Sequence, residues 1–231
     1  TSALLPPFLQ NLGGYSVLDT GLLLAPRGVG TMVSMVIVGR IVLRTDPRWL
    51  MGAGALILLW SMWEMSGWTP AISFSTLGAT TFIQGIAMGL IFVPMNMYTY
   101  STLAQSYRTD GSSILNLVRN VGSAVGVSLT TTVLSSSTQI NYNQLAEHAS
   151  PFNRALGQNA ASLMLGPQMP FGAENLSNII LQQSLIISYQ NTFLFMFYAS
   201  LPVLFVILTL RKVNLLTAGQ PDQQQQVEAM E

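Results

Sequence analysis

The chain has 231 residues, of which 50% are hydrophobic and 8% are charged, and its formal net charge is zero. A soluble globular domain usually carries about a quarter charged residues, so this composition excludes an ordinary water-soluble surface and favours a chain surrounded by lipid. A neutral chain has no basic field for nucleic acid. There is no cysteine, and the single histidine, His148, cannot form a histidine metal cluster. We therefore expect neither a metal nor a cofactor.

Several apolar stretches follow one another along the chain. A stretch of roughly 20 mainly apolar residues is long enough to form a helix that crosses a bilayer. Residues 1–12 begin at Thr1 inside an apolar run, and we expect them to be the end of a membrane helix that starts upstream. Between residues 20 and 135 the sequence predicts four transmembrane helices, and it predicts a last one near the C-terminus. The five predicted spans are 20–43, 49–68, 72–99, 112–135 and 190–210. The predicted fold class is an all-α integral membrane protein.

Two segments of the sequence differ from the spans. Residues 136–189 begin with a polar run and predict a long loop on the periplasmic or extracellular side of the membrane. From Asn175 apolar residues return, which predicts either a helix on the membrane surface or an outward extension of the last span. Residues 211–231 include Gln223 to Gln226 and predict a disordered tail.

The positions of arginine and lysine predict the orientation of the spans. Basic residues concentrate in the loops that face the cytoplasm. If all five spans cross, the basic positions fall on one side, and the C-terminus lies in the cytoplasm. These positions are Arg40, Arg44, Arg48, Arg108, Arg211 and Lys212.

The fourth span carries a polar stripe. Asn116, Arg119, Asn120 and Ser123 follow the i, i+3, i+4, i+7 spacing and share one helix face. Because polar groups are costly in lipid, this stripe predicts a cavity lining or a helix interface with a role in substrate contact or conformational coupling. The alternative is that Arg119 extends its side chain to the headgroups without such a role.

Two further polar residues fall inside spans. Arg27 follows Pro26, whose kink opens space in a helical bundle, and Arg27 either pairs with a carboxylate elsewhere or extends to the interface. Gln84 is the polar side chain near the middle of the third span, where transporters bind substrate. We therefore add Arg27 and Gln84 to the candidate substrate path.

Two pairs of glycines are predicted to pack helices together. Gly85 and Gly89 follow Gln84, and Gly122 and Gly126 repeat their spacing in the fourth span. Small residues four apart let two helix backbones approach closely.

Three segments of the sequence resemble the major facilitator superfamily, in particular the drug:proton antiporters with fourteen transmembrane helices (EmrB/QacA type). They are Leu24-Ala25-Pro26-Arg27-Gly28, Gln84-Gly85-Ile86-Ala87-Met88-Gly89 with Pro94, and the stretch from Gly111 to Gly122 that contains Asn116, Arg119 and Asn120. The resemblance implies a C-terminal part of a multi-pass transporter in the inner membrane, with spans corresponding to helices ten to fourteen.

The function that the resemblance implies is export of hydrophobic or amphipathic compounds by proton antiport. Its implied partners are lipid, small substrates and protons, together with a periplasmic adaptor protein and an outer-membrane channel. Two alternatives stay open: export of a specific metabolite or siderophore, and a membrane scaffold that transports nothing. The motifs of enzyme active sites and of nucleotide binding do not occur in the sequence.

The arginine asymmetry generates a prediction about topology. Cysteines introduced at Arg44 and at Asn159 are expected to react with a membrane-impermeant thiol reagent from opposite sides of the membrane. Labelling of both positions from the same side of sealed vesicles would contradict the predicted arrangement.

Overall fold

The computed structural model describes residues 1–42, 44–70, 72–101, 107–148 and 170–209. Within these ranges the regular structure is helical, and no strand occurs. The helices are α1 Leu5–Asn11, α2 Val17–Ile41, α3 Pro47–Met65, α4 Phe74–Ser101, α5 Arg108–His148 and α6 Pro170–Thr209. The predicted tail, residues 211–231, lies outside the described residues, as do residues 149–169 of the predicted loop.

Four of the described helices, α2, α4, α5 and α6, are long and apolar enough to cross a membrane. The helix α3 has 19 residues and carries Arg48 and Glu64 close to its two ends. It is not among the four, because polar residues at both ends lower the hydropathy of so short a helix. Its crossing of the membrane, expected from the stretch 49–68, stays a prediction.

The helices α5 and α6 differ in extent from the predicted spans. The sequence predicts a loop from residue 136, whereas α5 continues to His148. From Asn175 it predicts a surface helix or an outward extension of the last span, and α6, which begins at Pro170, has the form of the extension. Pro151 and Pro167 lie outside the described residues, and Pro170 occupies the first position of α6. A proline is tolerated there because the first helical N–H has no partner within the helix.

The chain divides into two compact units, and the first comprises the described residues of Thr1–Leu22, Met62–Ser73 and Ser123–Ala199. Its core contains an aromatic cluster of Phe8, Trp68, Tyr189 and Phe193. The rings of Phe8 and Tyr189 meet edge to face at 5.2 Å between centroids. Gln190 donates a hydrogen bond of 2.8 Å to the carbonyl oxygen of Trp68. These contacts tie α1 and the segment after α3 to α6.

Polar contacts join α5 to α6 in the same unit. Asn141 donates to the hydroxyl of Ser188 at 3.0 Å, and the hydroxyls of Tyr142 and Ser177 lie 3.2 Å apart. All four residues fall within residues 136–189, which the sequence places between the last two predicted spans. The two helices are therefore paired through side-chain hydrogen bonds along that segment.

The second unit comprises the described residues of Leu23–Ser61, Phe74–Gly122 and Ser200–Glu231. Its central feature is the contact between α2 and α4, which run parallel. Thr81 on α4 contacts Leu23, and Ser34, three turns further along α2, contacts Ile86 further along α4. The residue numbers rise together on both helices, which is the mark of a parallel pair.

Hydroxyl groups bridge this helix pair. Ser34 donates a hydrogen bond of 2.8 Å to the carbonyl oxygen of Ile86. The hydroxyl of Thr31 is shared between the carbonyl oxygens of Arg27 at 2.9 Å and Gly85 at 3.1 Å. Such bonds between membrane helices contribute about 0.6 kcal/mol each on average. Together they fix the register of α2 against α4.

Glycines make this close approach possible. A methyl group built at Gly85 would overlap the carbonyl oxygen of Arg27, and one built at Gly30 would overlap the carbonyl oxygen of Phe82. A methyl carbon built at Gly89 would lie 2.6 Å from the side chain of Ser34. Because main-chain oxygens cannot rotate away, a larger residue at Gly85 or Gly30 requires the helices to separate.

The packing of Gly85 generates a prediction about stability. Gly85→Ala is expected to lower the free energy of unfolding by about 1–3 kcal/mol, the usual cost of overpacking a tight contact. Gly78→Ala is the matched control on the same helix, because a methyl group there meets nothing within 4 Å. The control should be neutral or slightly stabilising, since alanine is the better helix former. The measurement is the thermal unfolding temperature of each variant in detergent. Equal temperatures for the two variants would contradict a close contact between Gly85 and the backbone of α2.

Candidate functional site

The helix α2 runs without a break through Pro26, and Thr81 of α4 bonds to the backbone of α2 close to this proline. Proline has no N–H group, so the backbone hydrogen bonding one turn earlier is weakened. Thr81 of α4 directs its hydroxyl to the carbonyl oxygen of Leu23 at 3.1 Å, in the turn before Pro26. Neighbouring Ser and Thr side chains commonly satisfy the backbone groups that a membrane proline frees. Thr81 therefore gives the α2 backbone an additional partner beside Pro26, and the half-buried Arg27 follows the proline directly.

Gln84 lies on α4 between Thr81 and the tight contact at Gly85. Its side chain is fully buried, and neither Oε1 nor Nε2 has a hydrogen-bond partner among the described residues. A buried amide without a partner costs about 1–3 kcal/mol by the measure of protein mutations. Gln84 is the one described glutamine whose two amide atoms are both buried and unpaired. A buried polar group without a hydrogen-bond partner is rare in a native structure, and a functional role is one common reason for it.

Arg119 on α5 is held by two residues of α4. Its guanidinium lies over the ring of Phe92, 4.4 Å from the centroid, and one terminal nitrogen donates to Oδ1 of Asn96 at 3.3 Å. The side chain is half-buried. A cation over an aromatic face gains about 0.5–2 kcal/mol, with the larger value where water is excluded. Arg119 therefore contacts two defined groups of α4, Phe92 and Asn96.

The asparagines of the polar stripe on α5 are more exposed to solvent than Arg119. Asn116 and Asn120 are both exposed. At Gly122 and Gly126 a methyl group would meet nothing within 4 Å among the described residues. The predicted packing role of these two glycines thus finds no contact in the described residues and stays a prediction, in contrast to the close contacts at Gly85 and Gly89.

The candidate residues fall into two groups on the second unit. Arg27 lies against Gly85, next to Gln84, whereas Arg119 lies against Phe92 and Asn96. Gly85 and Asn96 are three turns apart on α4, about 16 Å at 1.5 Å per residue. The structure therefore separates Arg27 and Arg119 along the helix axis and does not combine them in one binding pocket.

Sequence reasoning missed Thr81, Phe92 and Asn96. The two partners of Arg119 are four residues apart on α4 and share one face, with Pro94 between them. That spacing was available as a signal, but a phenylalanine and an asparagine near a helix end carry no functional mark without their neighbour.

Comparison with known proteins decides the family. Residues 1–127, more than half of the chain, match the Major Facilitator Superfamily. The chain belongs to the major facilitator superfamily. The predicted fold class and the resemblance drawn from the sequence are confirmed: this is a multi-pass membrane protein with the helical fold of that superfamily. Membership indicates a transporter rather than an enzyme.

Several relatives of the transporter carry names that describe export or resistance. The multidrug export protein EmrB of Escherichia coli K12 is 30% identical over 196 residues, which cover 82% of this chain and 38% of EmrB. The probable multidrug resistance protein EmrY of the same strain is 28% identical, with the same two coverages. The fatty acid resistance protein FarB of Neisseria gonorrhoeae is 27% identical over 84% of this chain and 38% of FarB. The chain thus spans about two fifths of the length of these relatives.

The contact between Arg119 and Phe92 generates a prediction that a double-mutant cycle measures. Phe92→Leu keeps apolar bulk and removes the aromatic face, and Arg119→Gln removes the charge. The two changes together are expected to be less destabilising than the sum of the single changes, with a coupling of about 0.5–2 kcal/mol. The same cycle with Phe74, which begins α4 at its other end, is the control and should show no coupling. Additive effects of the Phe92 and Arg119 changes would contradict the stacked arrangement.

Proposed function

We propose that the complete transporter exports hydrophobic or amphipathic compounds across the inner membrane in exchange for protons, with the C-terminus of this chain in the cytoplasm. The observation that carries the proposal is Gln84, a buried and unpaired amide in the helix α4. An enclosed amide in a mainly apolar span is suited to recognise one polar feature of a varied apolar substrate. The names of EmrB, EmrY and FarB support export as the direction of transport.

The mechanism that fits this family is alternating access, in which helix bundles rock around a site near the midplane. The helices α2 and α4 move as one body in this proposal, because glycine contacts and hydroxyl bonds join them over several turns. Gln84 lies in that contact region and Arg27 beside it. Rocking of the pair against the rest of the transporter would change which other helices cover Gln84.

Proton coupling requires an acid in a membrane span, where burial raises its pKa. The acids of the described helices lie within a turn or so of a helix end. They are Asp19, Glu64, Asp110, Glu147 and Glu174. We therefore assign the coupling acid to a part of the transporter beyond this chain.

The long helices α5 and α6 support the proposal of a partner outside the membrane. The helix α5 has 41 residues, about 60 Å at 1.5 Å per residue, against about 30 Å for the hydrocarbon core. Its polar end carries Asn141 and Tyr142, which bond to α6. We propose that this end projects from the membrane towards a periplasmic adaptor, which in turn meets an outer-membrane channel.

The experiment that tests the proposed function measures efflux of a lipophilic fluorescent dye by the complete transporter in proteoliposomes with an imposed proton gradient. The expected result is dye movement that stops when a protonophore collapses the gradient. Export of a single metabolite or siderophore but no dye would replace multidrug export by a specific exporter. If the protein transports none of the compounds tested, the result would favour the alternative of a membrane scaffold that transports nothing.

The role of Gln84 generates a separate prediction. Gln84→Leu is expected to reduce dye export severalfold while it maintains or raises the unfolding temperature, because leucine removes a buried group that lacks a partner. Gln182→Leu is the matched control, since Gln182 is exposed on α6. A Gln84→Leu variant that exports at the wild-type rate would remove Gln84 from the substrate path. One that unfolds at a lower temperature would show that the amide has a partner.

A further inference from the structure

Arg119 offers hydrogen-bond donors that the protein does not use. A guanidinium has five N–H donors. One of them goes to Asn96, and the face of the group lies on Phe92. The other four donors have no acceptor among the described residues, and no carboxylate there pairs with the charge. The stacking and the single bond fix the orientation of the group without neutralising it.

An arginine in this position needs an anion. It lies 11 residues after the start of α5, about 16 Å along the axis, and inside the stretch 112–135 that the sequence predicts to cross the membrane. An unneutralised charge at such a depth costs several kcal/mol. The planar fork of donors matches the two oxygens of a carboxylate or sulfonate, which a guanidinium binds through paired hydrogen bonds.

The surroundings of Arg119 leave room for a ligand. Asn116, one turn earlier on the same face, is exposed and adds a polar side chain to this surface. Gly122, one turn later on that face, has no side chain, and nothing lies within 4 Å of a methyl group built there. The cation is thus flanked by an amide on one side and by open helix surface on the other. This surface accommodates the apolar body of a ligand whose acidic group binds Arg119.

We infer that Arg119 and Asn116 form a recognition site for the acidic group of transported compounds, so that amphipathic anions are preferred substrates. In this site Phe92 and Asn96 position the guanidinium. The inference rests on the proposed function and narrows its substrate class. It assigns to Arg119 a direct contact with substrate rather than a contact within the protein.

The test compares two dyes that differ by one sulfonate group, the neutral N-phenylnaphthylamine and the anionic anilinonaphthalene sulfonate. Binding of each dye to the complete purified transporter in detergent is followed by fluorescence. Wild-type protein is expected to bind the sulfonate more tightly. Arg119→Gln should weaken binding of the sulfonate about tenfold or more, since bonds to charged groups are the strong ones, and should leave the neutral dye within twofold. The affinity of Arg119→Lys for the sulfonate should lie between those of the wild type and Arg119→Gln. Lysine keeps the positive charge but lacks the planar set of donors of the guanidinium.

Two further variants sharpen the binding test. Asn116→Ala is expected to weaken sulfonate binding about fivefold, as the loss of one hydrogen bond does. Arg108→Gln is the matched control, because it removes the same charge from the exposed start of α5. The control should bind both dyes as the wild type does. Equal loss of both dyes in Arg119→Gln, or equal loss of the sulfonate in Arg108→Gln, would overturn the inference.

Efflux in proteoliposomes separates this inference from the proposed function. If the wild type transports neither dye, the proposed function fails, and the binding measurement alone decides the anion site. If it transports both and Arg119→Gln slows both equally, Arg119 acts within the protein and the inference is wrong. A third outcome is loss of co-purified anionic phospholipid from Arg119→Gln, seen by native mass spectrometry, with dye selectivity unchanged. That result would assign the cation to a lipid phosphate and would also overturn the inference.

Discussion

The contact between the backbones of α2 and α4 is the constraint on which the rest of the second unit depends. In a bilayer, lipid tails solvate apolar side chains as well as a neighbouring helix does, so helices associate through close packing and hydrogen bonds. Gly30 and Gly85 permit that packing, and the hydroxyls of Thr31 and Ser34 add bonds to carbonyl oxygens of α4. A side chain at either glycine would remove both contributions together, because the bonds require the short distance.

This contact determines where the polar groups of the unit lie. It brings Thr81 to the backbone of α2 beside Pro26, and the fully buried Gln84 lies one turn further along α4. Further along, α4 presents Phe92 and Asn96 to Arg119. The first region is closed and contains an amide without a partner, and the second is open and contains a cation with unused donors. The two regions therefore differ in what they can bind, although one helix carries both.

Much of the fold was predictable from the sequence because lipid imposes one strong rule, a long apolar run for each spanning helix. The positions of α2, α4 and the apolar parts of α5 and α6 follow from that rule. The polar segment from residue 136 does not obey it, so the extension of α5 to His148 was missed. Its hydrogen bonds at Asn141 and Tyr142 depend on the neighbouring helix, which composition does not reveal.

The sequence by itself determined the membrane class, the candidate residues on each helix face and the motifs that resemble the superfamily. These depend on composition and on spacing within one helix, where the period of 3.6 residues relates sequence to direction. Only the tertiary structure decided which candidates have partners. Gly85 and Gly122 stand in similar sequence contexts, yet one meets a carbonyl oxygen and the other meets open space. Arg119 and Asn96 are 23 residues apart in the chain, and their contact exists because α4 and α5 pack side by side.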